Sequence, residues 1–290
     1  MFPSLLKLMR PAQWLKNGIL LAALVFAGEA THPDKVQLAV YALIIYCLLS
    51  SAVYVFNDLI DRENDRRHPL KKTRPVASGQ ISPAVAATVT IVLGVLGIAG
   101  AWLINWPFFM TALAFLALNL LYTLWLKHIV IVDVMSIAVS FVLRAYAGAL
   151  AIEVPASKWM LINTLLLALF LGFGKRRHEL LLLEDDATSH RRILDRYSPY
   201  LLDQLMGVVT ASVVVMYMLY TFSSEVMEKL GTESLFVTIP FVVYGVFRYL
   251  YLIHKEEKGG SPTRVLIGDA PILINVVLWL VTVIVVLYLL

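Results

Sequence analysis

The sequence predicts an all-α fold: a polytopic membrane bundle of nine transmembrane helices in a single domain, residues 1–290. Three observations predict it. Hydrophobic residues make up 60% of the chain and mean hydropathy is +0.79, whereas soluble domains sit nearer half apolar. Apolar runs of membrane-core length recur along the whole chain. Lys and Arg gather in alternate connections between those runs. The apolar segments are continuous rather than alternating, which disfavours a β-barrel. The single cysteine, Cys47, lies inside an apolar run. It excludes an intramolecular disulfide and a cysteine metal cluster, and reads as a small packing residue.

The expected spans are 17–28, 36–56, 82–103, 108–126, 130–152, 158–174, 200–222, 235–253 and 270–290. The first is short. Lys7, Arg10 and Lys16 precede it as in a signal peptide, but Pro11-Ala-Gln13-Trp14-Leu-Lys16-Asn17 is too elaborate for such a leader, so a retained helix is expected. Pro83, Pro107 and Pro271 stand near helix starts, where proline is tolerated. Pro155 separates the fifth and sixth spans, and Pro240 falls in the first turns of the eighth. Trp14, Trp102, Trp106, Trp125, Trp159 and Trp279 mostly stand near span ends, as an interfacial belt does. With the N-terminus in the cytoplasm, twenty of the 24 Lys and Arg face that side. Only Lys35, Lys158 and Lys229 face the other, and Arg144 lies inside a span. The asymmetry predicts a multi-pass protein of the cell (inner) membrane, N-terminus cytoplasmic and C-terminus on the opposite side. The lipid bilayer is the implied surroundings, with no nucleic acid as partner. A homo-oligomer is left open.

The two long cytoplasmic loops, 57–81 and 175–199, then face one compartment and can meet above the bundle. The first holds Asn57-Asp58-x-x-Asp61-x-x-x-Asp65, followed or interleaved by Arg62, Arg66, Arg67, Lys71, Lys72 and Arg74. Continued helix puts the three carboxylates on one face. Such a cluster repels itself unless cations lie between, and nothing about membrane anchoring requires it. Mg²⁺ prefers oxygen, takes one or two carboxylates and completes its shell with phosphate. Acid for a metal beside base for phosphate oxygens predicts a diphosphate–metal site, with Asn57 adding a neutral oxygen. The second loop opens with Gly174-Lys175-Arg176-Arg177-His178-Glu179, where Lys175 and Arg176 each lie one helical turn from Glu179. Residues 184–196 read equally as a salt-bridged surface helix. Ionisable groups at membrane depth usually face a wet cavity. Tyr122 and Lys127 end the fourth span, and Asp133 and Arg144 belong to the fifth. Arg144 needs an anion: a lipid phosphate, a ribose phosphate, or Asp133, which is some three turns away and too far without bending. Asn119 and Asn163 read as helix–helix glue.

The first motif resembles the aspartate motif of the UbiA superfamily of intramembrane prenyltransferases, and Tyr122 to Lys127 resembles that family's tyrosine–lysine element. The resemblance covers essentially the whole chain and implies an active-site cavity opening to the cytoplasm, with Mg²⁺ holding a diphosphate. Most members carry a second acidic motif after the sixth helix. Here that place holds the basic stretch 174–179, with Glu184-Asp185-Asp186 beyond the usual spacing. With Arg10-Pro-Ala-Gln13-Trp14-Leu-Lys16-Asn17 and His68-Pro-Leu-Lys71-Lys72-Thr-Arg74-Pro75, this is similar to the family's decaprenyl-phosphate phosphoribosyltransferase branch. That resemblance implies transfer of 5-phosphoribose from phosphoribosyl diphosphate to a polyprenyl phosphate, for cell-wall arabinan synthesis. The implied metal ligands are Asp58, Asp61, Asp65 and Asn57, the aspartates being catalytic through the metal. Lys71, Arg74, Lys175 and Arg176 are the candidates for donor phosphates, and Lys16, Lys127 and Arg144 for the acceptor phosphate. Asn17, Arg67, Tyr122 and Glu179 complete the expected binding residues. The rival readings are a prenyltransferase with an aromatic acceptor and a lipid-linked transporter or flippase. The transporter predicts charge spread through the spans, whereas here it lies mostly at one face.

Overall fold

A computed structural model describes residues 2–67, 71–184, 194–255, 265 and 268–289, and every regular element among them is helical. The order is α1 Phe2–Met9, a 3₁₀ segment Pro11–Leu21, α2 Ala22–Phe26, α3 Pro33–Ile60, α4 Arg62–Arg67, α5 Pro83–Ile104 and α6 Trp106–Leu124. There follow α7 Val132–Ala151, α8 Lys158–Glu184, α9 Pro199–Thr221, α10 Ser224–Leu230, α11 Ile239–Lys255 and α12 Ala270–Tyr288. Eight helices are long and apolar enough to cross a membrane, corresponding to the second through ninth expected spans. Their starts follow local chemistry. Ser82, Asn105, Ser198 and Asp269 each accept a hydrogen bond from a backbone N–H of the first turn, and each is followed within two residues by a proline that has no N–H to orphan. The helix α8 runs beyond the expected end at 174, so Lys175, Arg176 and Glu179 remain helical.

α3 is the spine, packed against α5, α6, α7 and the 3₁₀ segment. One buried cluster centres on Tyr46, Phe108 and Phe115 between α3, α6 and α7. A second centres on Phe170, Leu202, Met206 and Leu252 between α8, α9 and α11.

The first expected span, 17–28, departs from expectation: it forms an eleven-residue 3₁₀ segment and a five-residue α-helix. Runs of 3₁₀ this long are uncommon. The cause is legible in the packing. At three residues per turn, Pro11, Trp14, Asn17 and Leu20 eclipse on one face, and that face lies against α3. Trp14 Nε1 donates to Ser51 Oγ at 3.0 Å, Asn17 Nδ2 to Cys47 Sγ at 3.4 Å, and Leu20 enters the apolar cluster with Ala42 and Ile45. Arg10 pairs with Asp58 at one end, while Leu24 shares a cluster with Ala39 at the other. The stretch of α3 from Asp58 to Ala39 measures roughly 28 Å at the α-helical rise. Arg10 to Leu24 covers it with fewer residues because the 3₁₀ rise is about 2 Å per residue.

Gly148 on α7 allows this approach: a Cβ there would lie 2.0 Å from the Leu20 carbonyl oxygen. Overpacking of this kind costs about 1–3 kcal/mol. Gly148→Ala should therefore lower the melting temperature of the detergent-purified protein. Gly94→Ala should not, since nothing lies within 4 Å of the added carbon. Equal melting of the two variants would contradict the close seat assigned to the 3₁₀ segment.

Candidate active site at the charged end of the bundle

The last turns of α3 deliver Asn57 and Asp58, the helix ends at Asp61, and α4 carries Asp65. Asp58 and Asp65 are buried although both are carboxylates. Burial on this scale requires partners, and each aspartate has one. Arg10, arriving from the N-terminal segment, pairs with Asp58 Oδ1. Arg74 Nη1 donates to the same Oδ1 at 3.0 Å and to Asp65 Oδ2 at 2.6 Å. Lys127, itself buried in the turn after α6, donates to Asp61 Oδ1 at 2.6 Å. Three acids are thus matched by three bases from three separate segments. The loop holding Arg74 is tied down by Lys7 Nζ donating to Thr73 O at 3.2 Å and Arg66 Nε to Ala77 O at 3.1 Å.

A second charged group stands where α7 and α8 begin and end. Arg176, 1% exposed, donates through Nε to Asp133 Oδ2 and through Nη1 to Glu179 Oε2, both at 2.6 Å. Its Nη2 reaches the Tyr122 hydroxyl at 3.4 Å. Tyr197 donates to Asp133 Oδ1 at 2.8 Å and accepts from the Ile131 N–H at 2.6 Å. Burial holds the Tyr197 phenol well above its ordinary range, so it remains a donor to that carboxylate. Glu179 also faces Lys175 Nζ at 3.6 Å.

Below both groups lies a polar floor. Arg144 donates through Nε to Asn17 Oδ1 at 2.9 Å and through Nη1 to Ser140 Oγ at 3.0 Å. Its guanidinium lies 4.6 Å from the Phe115 ring centre and 5.1 Å from that of Phe141. Ser50 donates to Asn17 Oδ1 at 3.1 Å. Lys16, half-buried, is the residue before Asn17 on the 3₁₀ segment, within electrostatic reach of Tyr54, Lys175 and Arg144.

The expected residues therefore divide. Asp58, Asp61, Asp65, Arg74 and Lys127 form one cluster, with Asn57 half-buried beside it. Lys71 lies on the same loop, three residues before Arg74, whereas Arg67 is exposed on α4. Lys175 and Glu179 stand at the rim; Arg176, expected at a donor phosphate, is sealed beneath them and committed to carboxylates. Lys127 is committed to Asp61, and Asp133 pairs with Arg176 rather than with Arg144. Asn119 bridges α6 to α7 through Ser140 Oγ at 3.2 Å, while Asn163 donates only within its own helix, to Trp159 O. Sequence reasoning left out Arg10, Tyr54 and Tyr197 as site residues. Arg10 had a signal, since it precedes the 3₁₀ segment whose polar face descends α3; Tyr197 had none. His68, the Glu184 side chain, Asp185, Asp186, Arg191, Arg192, Lys258 and Arg264 lie outside the described residues.

Among the described residues no three acidic or histidine side chains converge to hold a metal by themselves. Asp58 Oδ1 and Asp65 Oδ2 share one Arg74 nitrogen, so they lie no more than about 5.6 Å apart. Mg²⁺, with ligands at about 2.1 Å, holds two oxygens no more than about 4.2 Å apart, so it would take one of these carboxylates or, with Arg74 displaced, both, and complete its shell from a phosphate ligand.

The model described as the UbiA prenyltransferase family matches residues 18–277. The chain belongs to the UbiA prenyltransferase family. It is 32% identical over 284 residues to the decaprenyl-phosphate phosphoribosyltransferase of Mycobacterium tuberculosis, covering 97% of this chain and 93% of that one. The enzyme of that name from Mycolicibacterium smegmatis is 30% identical over 97% of this chain and 91% of its own. Among solved structures, a UbiA homologue from Archaeoglobus fulgidus bound to GPP and Mg²⁺ superposes with a TM-score of 0.73 at 21% identity, covering 97% and 99% of the two chains. The UbiA fold thus accounts for all eight long helices, and the chain is a multi-pass membrane protein.

Breaking the buried Arg176–Asp133 pair by removing one partner leaves an uncompensated charge, a loss of about 3–5 kcal/mol. Arg176→Ala should accordingly melt well below wild type in detergent, and adding Asp133→Asn should recover part of the loss. Lys175→Ala, at the exposed rim, should melt as wild type. Normal melting of Arg176→Ala would remove the structural role assigned to that side chain.

Proposed function

We propose that this protein transfers 5-phosphoribose from phosphoribosyl diphosphate to a polyprenyl phosphate, releasing diphosphate, at the cytoplasmic face of the cell membrane. The observation that carries the reading is the near-full-length similarity at 30–32% identity to enzymes of that name. The charge of the site supports it. Donor and acceptor together bring a diphosphate and two further phosphates, far more anion than an isoprenyl diphosphate with a neutral aromatic acceptor. A single acidic cluster with basic groups around it suits that load better than two acidic clusters. A nine-crossing topology with the N-terminus inside is supported by the 3₁₀ segment running beside α3 and by the basic connections.

The reaction breaks the C1–O bond to diphosphate, which leaves with the electron pair, and forms a bond from C1 to an acceptor phosphate oxygen. That oxygen is already anionic at neutral pH, so no proton needs to move and no general base is assigned. Asp58 and Asp65, with Asp61 and Asn57 adjacent, would hold Mg²⁺, which when bound supplies charge neutralisation to the leaving diphosphate. Arg74 and Arg10, paired with the aspartates, stand beside the carboxylates that would hold the metal, and an arginine fork suits the diphosphate oxygens it would bring. Lys71 and Lys175 at the rim add charge-assisted contacts to the donor. Arg176 fixes Glu179, and Glu179 in turn sets the position of Lys175. The polyprenyl tail would lie between helices, open laterally to lipid.

Purified protein given labelled phosphoribosyl diphosphate, polyprenyl phosphate and Mg²⁺ should yield a labelled lipid. Turnover should cease with chelator. Asp58→Asn should lower kcat/KM at least about a hundredfold in the fraction that still elutes as folded, the scale of losing a group that stabilises developing charge. Full turnover by Asp58→Asn, or in metal-free buffer, would contradict the role given to the aspartates.

A further inference from the structure

Arg144 and Lys16 are bases of the bundle interior that no carboxylate reaches among the described residues. Arg10, Arg74, Lys127, Lys175 and Arg176 all have acidic partners. Arg144 is 5% exposed on a membrane helix, where an uncompensated charge is expensive and usually functional. Its Nε and Nη1 are engaged by neutral oxygens, but Nη2 has no partner, nor is it sealed away like the orphaned Tyr46 hydroxyl nearby. Two phenyl rings hold the guanidinium plane in place. A preorganised cation with an open corner, with a second cation within electrostatic reach, is built to receive an anion. Together they carry two positive charges, the complement of a phosphomonoester dianion.

Depth decides which phosphate. Asn17, the partner of Arg144, contacts α3 at Ser50 and Cys47. Ser50 lies eight residues below Asp58, roughly 12 Å at the helical rise. Tyr54, within electrostatic reach of Lys16, lies midway between. On α7, Arg144 lies eleven residues beyond Asp133, roughly 16 Å further into the bundle. The hydrocarbon core is only about 30 Å thick, so the floor stands near mid-membrane. A polyprenyl phosphate keeps its head group at the interface because its tail occupies the hydrocarbon, and reaching the floor would fold that tail back on itself. A water-soluble sugar entering from the charged end has no such restraint. With its diphosphate at the aspartates, a ribose carries its other phosphate from C5, on the side of the ring away from C1, and so points it toward the floor. The sequence alone left Arg144 open to a lipid or a ribose phosphate and grouped it with Lys16 at the acceptor phosphate; depth favours the donor.

We propose that Arg144, oriented by Asn17, and Lys16, the neighbour of Asn17 on the 3₁₀ segment, form a phosphomonoester subsite at the polar floor that receives the 5-phosphate of the sugar donor. The subsite rests on the phosphoribosyl-transfer reading but is tested apart from it. Ribose 5-phosphate carries the floor phosphate and lacks the diphosphate; inorganic diphosphate is the converse. Calorimetry on the detergent-purified full chain should find that Arg144→Gln and Lys16→Gln each weaken ribose 5-phosphate binding at least tenfold, with Mg²⁺-diphosphate binding unchanged. Gln keeps a donor toward Asn17, and Lys16→Gln lies on the half-buried wall, so one of the pair serves if the other fails to fold. In steady state the donor KM should rise while the polyprenyl phosphate KM stays. Undiminished ribose 5-phosphate binding in both variants, or a rise in acceptor KM alone, would overturn the subsite. A wild type that binds ribose 5-phosphate but transfers no phosphoribose would instead overturn the reaction and leave the subsite standing.

Discussion

The structure depends on Asp58 being held between two arginines. Its carboxylate is nearly inaccessible, and Arg10 and Arg74 approach it from opposite sides of the chain order. Arg10 brings the N-terminal segment to the end of α3; Arg74 brings the loop after α4 and, through Asp65, α4 itself. Remove the carboxylate and two bases face one another beside a helix end; remove the bases and an anion is buried without compensation. The N-terminal segment, the spine helix and the first long loop therefore meet at one charged point. Lys127 on Asp61 adds the connection between α6 and α7 to the same assembly.

A second lock works by the same rule on the other half of the bundle. Asp133, Arg176 and Glu179 join the start of α7 to the end of α8, with Tyr197 closing the fourth side before α9. Both locks sit at one end of the bundle, and the polar floor lies between and beneath them. The arrangement separates two kinds of base: those already satisfied by carboxylates, which a metal and diphosphate must displace, and the floor pair, which waits for an anion. In the proposed reaction the first kind responds to the leaving group and the second to the part of the donor that does not react.

Much of this was legible in the sequence because membrane insertion leaves strong marks. Eight continuous apolar runs became eight long helices, three of which open at the prolines the sequence marked, Pro83, Pro107 and Pro271. The Asp58, Asp61 and Asp65 spacing led directly to the charged cluster. What was not legible follows from long-range packing. The 3₁₀ segment was read as an α-helix because its three-residue repeat, Pro11, Trp14, Asn17 and Leu20, is hidden inside a generally apolar stretch. Its cause, the bare backbone of Gly148, lies over a hundred residues away. Arg176 looked like a phosphate ligand because Lys175, Arg176 and Glu179 share a turn; that Asp133 comes to meet it depends on how α7 packs against α8. Arg144 was singled out by depth, but its partners, Asn17 and Ser140, are neutral and carry no sequence mark.

The central claim is that the aspartates form a metal site completed by diphosphate rather than by protein alone. Each aspartate already has a base on it, and no three acids converge among the described residues. Mn²⁺ shares the preference for oxygen ligands and can be followed by electron paramagnetic resonance on the purified protein. The account predicts weak Mn²⁺ binding alone, tightened at least about tenfold by inorganic diphosphate, in keeping with a shell that phosphate completes, and lost in Asp65→Asn. Tight Mn²⁺ binding without diphosphate, or undiminished binding in Asp65→Asn, would contradict it.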